Sequence, residues 1–300
     1  MFPIHLNLGF RVFYYYEGFY FLSAIIAAYL LGRRNLRRAG LDVDVFTDSV
    51  LWILLGAIAG ARLSHFLFWD WPALRANPMQ FFQFWDGGLS ITGGLAAGVL
   101  SGALCFRHHK VDFWAYAARI SPAVLVGQAI GRVGCFLNGD AWGIPTALPW
   151  GVREPRFGML VPGFRIDPSA PSAAWEWCVA RGYIPASASA TVPLHPTQLY
   201  ESLGDLALAG LVVLVARSQV RQGVRPSRVL WLHLGGYALL RFGLEFLHGD
   251  REGAFLGGMT TLQLGLLGVV AASAVLLARP AGACPHDGSG RRMTGHRTNR

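Results

Sequence analysis

The chain has 300 residues, 53% of them hydrophobic and only 14% charged, with a formal net charge of +9. Apolar runs of roughly 18–20 residues recur along it, which excludes a soluble globular domain and points to a polytopic membrane protein; without alternating strand patterns, its spans are expected to be helices. The positive charge does not point to nucleic acid, because most basic residues lie in short connectors between apolar runs, where membrane topology accounts for them.

In chain order, the first expected span is 18–32, "GFYFLSAIIAAYLLG". The segment before it lacks the basic flank and small-residue cleavage site of a signal peptide, so this span is expected to remain as an anchor. The second is 48–69 and the third 89–106, both studded with Gly, Ala and Ser. Small residues of this kind let membrane helices approach closely. The fourth is 113–137, the fifth 197–216, the sixth 229–247 and the seventh 257–278. The fold expected is therefore all-α, with about seven transmembrane helices forming one domain over residues 1–278.

Four connectors are basic: "RRNLRR" (33–38), "RHHK" (107–110), "RSQVRQGVRPSR" (217–228) and the tail at 279–300. Each follows an odd-numbered span, so the positive-inside rule puts them in the cytoplasm, with the N-terminus outside and the C-terminus inside. The long connector 138–196 then faces outward. Loops of that length tend to be functional or disordered. Within it, "SAPSAAWEWCVARGYIP" suits a short surface helix and "ASASA" (186–190) a flexible link. The tail 279–300 is expected to be disordered. Cys105, Cys135, Cys178 and Cys284 show neither close pairing nor metal spacing, so neither a disulfide framework nor a zinc site is expected.

Charges inside spans mark a function or a buried partner. Those expected here are Arg62, Arg119, Arg132, Glu201, Asp205, Arg241 and Glu245. Arg241 and Glu245 stand four apart and share a helix face, either as a buried ion pair or as the lining of a polar cavity. Arg132 and Arg241 both lie on spans that run outward, and a guanidinium fork suits a phosphate. The pair is therefore expected either to hold a phospholipid headgroup or simply to snorkel to the interface. His195 is a possible general base or a structural loop histidine. Cys135 reads either as a nucleophile or as a small apolar residue.

These stretches resemble prolipoprotein diacylglyceryl transferases, bacterial inner-membrane enzymes of lipoprotein maturation. "GRVGCFLNGDAWGIPT" (131–146) is similar to the family signature, roughly G-R-x-G-N-F-x-N-x-E-x-x-G-x-x-T. In order, "WDGGLSITGGL", "LHPTQLYES" and "LRFGLEFLHGD" resemble three further family motifs. The resemblance covers about residues 13 to 278. It implies transfer of a diacylglyceryl group from phosphatidylglycerol to the lipobox cysteine of a preprolipoprotein, in a multi-pass protein whose active face meets the outer leaflet. The partners implied are phosphatidylglycerol, lipobox-bearing preprolipoproteins and membrane lipids, with no cofactor, no nucleic acid and a monomeric chain.

By the same resemblance Arg132 and Arg241 hold the phosphate, Glu245 orients Arg241, and His195 joins the catalytic set. Asn138, Asp140, Gly143, Gln198, Tyr200 and Glu201 shape the substrate pocket. Some family positions are altered. Thr92 stands where the family has a histidine, Cys135 where it has an asparagine, Asp140 where it has a glutamate, Glu17 where a tyrosine is expected, and His248 where it has an arginine. Glu17, Thr92 and Cys135 are therefore counted with the substrate pocket. The departures fit a transferase with a rebuilt base, with Glu17 or His195 as its proton acceptor. They also fit a paralogue with another acceptor, or a non-catalytic lipid- or lipoprotein-binding protein.

Overall fold

The computed structural model describes residues 5–7, 12–68, 70–83, 90–161, 165–166, 169–222, 226–251 and 257–279. Seven long helices fall on the seven expected spans. They are α1 (Tyr15–Arg38), α2 (Val43–Phe68), α4 (Ile91–His108), α5 (Phe113–Asn138), α7 (Thr197–Gln222), α8 (Ser227–Leu244) and α9 (Thr261–Ala278). Two shorter helices lie between them, α3 (Trp71–Ala76) and α6 (Ala173–Ala180). Among the described residues, α2, α5, the Thr197–Ser218 part of α7 and α9 are long and apolar enough to cross a membrane. Their outer faces expose side chains such as Leu51, Trp52, Leu55, Leu214 and Val275. Such a surface belongs in hydrocarbon, and the chain is an integral membrane protein.

Helix ends follow local chemistry. Asp112 caps α5 by accepting from the Trp114 amide at 3.0 Å. The same helix stops at Gly139, which takes the left-handed φ of 78° that a side chain resists. α9 begins with a reciprocal capping box between Thr260 and Gln263. Small residues set the packing of α2 on α4, as the sequence leads one to expect. A Cβ on Gly60 would lie 2.7 Å from the Gly93 carbonyl, and one on Gly93 2.6 Å from that of Gly60.

Two features differ from the sequence reading. Two short antiparallel ribbons accompany the helices, β1 (His5–Asn7) with β2 (Val12–Tyr14) and β3 (Leu160–Val161) with β4 (Arg165–Ile166). The connector 138–196 is also a folded cap. Bridges join Pro145 and Val152 to Leu194, and Pro155 to Ala190. α6 packs Ala174 and Cys178 against Leu194 in a small core of its own. The "ASASA" stretch is tied down, because the Arg156 amide donates to Ser189 and the Trp175 indole to Ala188, both at 2.9 Å. Pattern reading missed this because the anchors come from distant positions. Residues 280–300, expected to be disordered, lie outside the described residues.

Candidate functional site

The C-terminal ends of α5 and α8 meet the N-terminal ends of α7 and α9 at one end of the bundle. Glu201, on the second turn of α7 and 2% exposed, is the hub. One of its carboxylate oxygens pairs with Arg132 Nε of α5, and the other with Arg241 Nε of α8 at 3.2 Å. Arg241 turns its Nη1 to Glu245 at 2.7 Å, so the i, i+4 pair seen in the sequence forms. His248 Nε2 also reaches Glu201, at 3.3 Å, while its Nδ1 meets Asp250 at 3.1 Å. Tyr237, one turn before Arg241, lies beside Arg132. Asp205, one turn beyond Glu201, is 1% exposed, and neither carboxylate oxygen has a hydrogen-bond partner among the described residues.

This arrangement fixes both guanidiniums by their inner Nε–H groups. Each has further N–H groups, and both side chains keep partial solvent access, 24% for Arg132 and 15% for Arg241. Two pre-aimed cations that need not reorganise are what an anionic group with developing charge requires. Beside them a cavity of about 240 Å³ is lined by Arg241, Glu245, Asp250, Arg251 and Thr260.

The loop after α5 wraps this centre. Gly139 and Ala141 both take positive φ, and the turn is held by α7: Thr197 Oγ1 donates to the Ala141 carbonyl at 2.7 Å and Gln198 Nε2 to that of Asp140 at 2.6 Å. Gly143 faces His248 across a bridge, and the Ile144 amide donates to the Leu247 carbonyl at 2.8 Å. Only glycine fits at 143, because a Cβ there would lie 2.3 Å from the His195 carbonyl oxygen. Asn138 is buried, and its Oδ1 has no partner among the described residues. The Asp140 amide donates to the Cys135 carbonyl at 3.3 Å, which sets these two residues side by side at the end of α5.

His195 sits in the loop before α7, its Nδ1 3.2 Å from the Tyr200 hydroxyl, which in turn accepts from the Trp150 indole at 2.7 Å. Its described bonds go to Tyr200, Ile144 and Thr197 rather than to the arginine centre. Burial lowers its pKa, so the ring is neutral at pH 7. For His248 burial pulls the same way, but the bonds to Asp250 and Glu201 outweigh it and raise the pKa. Glu154, in the folded connector, is buried with its Oε2 unpartnered among the described residues. That burial, and after it the charges of Asp140 and Asp250, push its carboxyl up to about 8.

Of the residues expected from sequence, the structure joins Arg132, Arg241, Glu201 and Glu245 directly, sets Asp140 and Gly143 in the turn after Asn138, and bonds Gln198 of α7 to that turn. His195 and Tyr200 form a separate pair. Glu17 and Thr92 lie on α1 and α4, and their side chains fall outside the described residues. Sequence reasoning did not pick out Tyr237, Glu154 or Thr260, and it took His248 only as an altered position. Tyr237 was within reach, being four residues before Arg241 on one helix face. Arg62 has a structural role, donating to the backbone carbonyls of Phe81 and Gln83 at 3.2 and 2.9 Å.

A family model described as prolipoprotein diacylglyceryl transferase matches residues 3–279. The chain is 35% identical over 288 residues to the phosphatidylglycerol–prolipoprotein diacylglyceryl transferase of Solidesulfovibrio magneticus, covering 93% of this chain and 94% of that one. It is 31% identical to the protein of the same name in Geobacter sulfurreducens, covering 92% and 95% of the two chains. For that of Synechocystis the identity is 29%, covering 89% and 88%.

Proposed function

Because the chain belongs to the prolipoprotein diacylglyceryl transferase family, we propose that it moves a diacylglyceryl group from phosphatidylglycerol to the lipobox cysteine thiol of a preprolipoprotein. The thiol sulfur forms a carbon–sulfur bond to the glyceryl carbon. The carbon–oxygen bond to phosphate breaks, glycerol-1-phosphate departs, and the thiol proton passes to a base. One observation carries this reading: two partly accessible arginines are held by one buried carboxylate, Glu201, at the end of an apolar bundle.

Arg132 and Arg241 bind the phosphate and take up its charge as the bond breaks. Glu201 and Glu245 set their positions, and Asn138, Asp140, Gly143 and Gln198 shape the headgroup pocket. Glu17 or His195 accepts the thiol proton in place of the family histidine; Thr92 cannot, since a hydroxyl does not take up a proton near neutral pH. All seven long helices cross the bacterial inner membrane, N-terminus out and C-terminus in, as the basic connectors favour. The centre then faces the outer leaflet. A single copy suffices, since one chain carries the whole constellation.

The test is purified chain, phosphatidylglycerol vesicles and a lipobox peptide, followed by mass spectrometry. The peptide gains one diacylglyceryl mass and glycerol phosphate is released. Arg132→Lys and Arg241→Lys each remove the gain, because a lysine lacks the fork that serves carboxylate and phosphate together. Lipid binding without transfer by the wild-type chain overturns the reading. Full activity in both lysine variants overturns the phosphate assignment, and full activity in a Glu17→Gln/His195→Gln double variant overturns the base assignment.

A further inference from the structure

The other end of the helices carries an arrangement that the transfer chemistry does not use. An open groove of about 520 Å³ runs between α1, α5 and α7, walled by Leu31, Val126, Leu206 and Val213. It continues into a hollow of about 210 Å³ that shares Asn35, Pro122 and Val213 with it and is rimmed by Arg38, Arg119 and Arg217. Among the described residues, no ion pair uses any of these three arginines. Asn35 Nδ2 donates to the Arg119 carbonyl at 3.2 Å, which ties α1 to α5 at the mouth.

The dimensions match one leaflet. From Leu206 to Arg217 the groove follows α7 for eleven residues, about 16 Å at the helical rise and half of a ~30 Å hydrocarbon core. Gly210 leaves the wall open, for a Cβ there meets nothing within 4 Å. Arg119 and Arg132 lie thirteen residues apart on α5, about 20 Å, so the arginine rim is remote from the transfer centre.

We propose that this groove holds an anionic phospholipid, with its phosphate among Arg38, Arg119 and Arg217 and one acyl chain laid along α7 between α1 and α5. Charge complementarity selects the occupant. Three guanidiniums without carboxylates at a membrane boundary attract an anionic headgroup, and the apolar trench below them is one leaflet deep. The leaflet is the cytoplasmic one, a detail that rests on the orientation proposed above. The site is distinct from the one that binds the donor lipid, and its occupant is bound without being consumed.

The experiment uses the full chain in phosphatidylcholine nanodiscs doped with phosphatidylglycerol carrying a diazirine in mid-acyl chain. After irradiation, labelled peptides are mapped by mass spectrometry, and transfer to a lipobox peptide is measured in parallel. Label is expected on the 206–214 segment. It falls at least five-fold when Gly210→Leu fills the trench, when Arg119→Gln/Arg217→Gln strips the rim, or when the diazirine lipid is phosphatidylcholine. Transfer by Gly210→Leu stays at the wild-type level. Equal labelling by the two probes, or undiminished labelling in Gly210→Leu, overturns the proposal. Loss of transfer in the wild-type chain with this labelling pattern intact would overturn the transferase reading alone.

Discussion

Replacing Glu201 by glutamine tests the central geometric claim. The substitution keeps the shape but removes the charge that Arg132 and Arg241 share. At an effective dielectric of about 20, a pair of charges 4 Å apart is worth about 4 kcal/mol. Two such attractions vanish, and two guanidiniums are left facing each other. Against this, glutamine escapes the several kcal/mol that burying a carboxylate costs, so the net loss expected for breaking a buried pair is about 3–5 kcal/mol. At an unfolding entropy of about 2.1 cal/mol/K per residue, a chain of 300 residues shifts by roughly 1.6 °C per kcal/mol, so the melting temperature in detergent should fall by about 5–8 °C. Transfer should fall about 100-fold, the usual consequence of misplacing a charge-stabilising group by about an ångström. The Arg241→Gln single and the Glu201→Gln/Arg241→Gln double variant complete a cycle. Strict additivity, within about 0.5 kcal/mol, would mean that Glu201 does not hold Arg241 and would refute the reasoning.

Gly143→Ala drives a Cβ into the His195 carbonyl and should cost about 1–3 kcal/mol by overpacking, with transfer lost. Gly131→Ala, which meets nothing within 4 Å, should leave the melting temperature unchanged or slightly higher. Because the folded pKa of His248 is raised, its stabilisation is full below the ordinary histidine value and disappears as pH rises through the folded one. Melting curves of the wild-type chain should show that loss, and His248→Gln should flatten it. Glu154 has the opposite effect for a carboxyl: raised to about 8, it binds a proton more tightly folded than unfolded, so stability falls as pH climbs from about 4.5 to 8. Glu154→Gln should therefore melt higher than wild type at pH 8.5 and equally at pH 5; a constant difference at both would place the effect elsewhere.

Much of the bundle was legible because hydrophobic run length is a local signal. Each expected span overlies a helix, and the fourth, read as 113–137, falls within one residue of α5 at both ends. The cap over residues 139–196 was not legible, because it is built from single bridges such as Pro155 to Ala190 rather than from periodic elements. Trp175 reaching Ala188 is a tertiary contact that no composition rule foretells. The same division runs through the site. Arg241 with Glu245 could be paired by helix spacing alone. That Glu201 stands between two arginines from different helices depends on how α5, α7 and α8 pack, and the position of His248 depends on the bridge to Gly143.

The packing also changes the meaning of two sequence departures. Taken singly, a cysteine for the family's asparagine and an aspartate for its glutamate look like separate erosions of the signature. In the fold they are neighbours, the Asp140 amide donating to the Cys135 carbonyl at 3.3 Å at the end of α5. The two altered positions thus sit together, and the turn they brace still delivers its backbone carbonyls to Thr197 and Gln198. Arg132, one helical turn before Cys135, is meanwhile held by its ion pair with Glu201 of α7. The phosphate-facing half of the centre is therefore anchored by a residue outside the altered pair. Cys135→Asn should accordingly leave the Glu201–Arg132 coupling unchanged in a double-mutant cycle, while Arg132→Gln should leave the Cys135–Asp140 coupling unchanged.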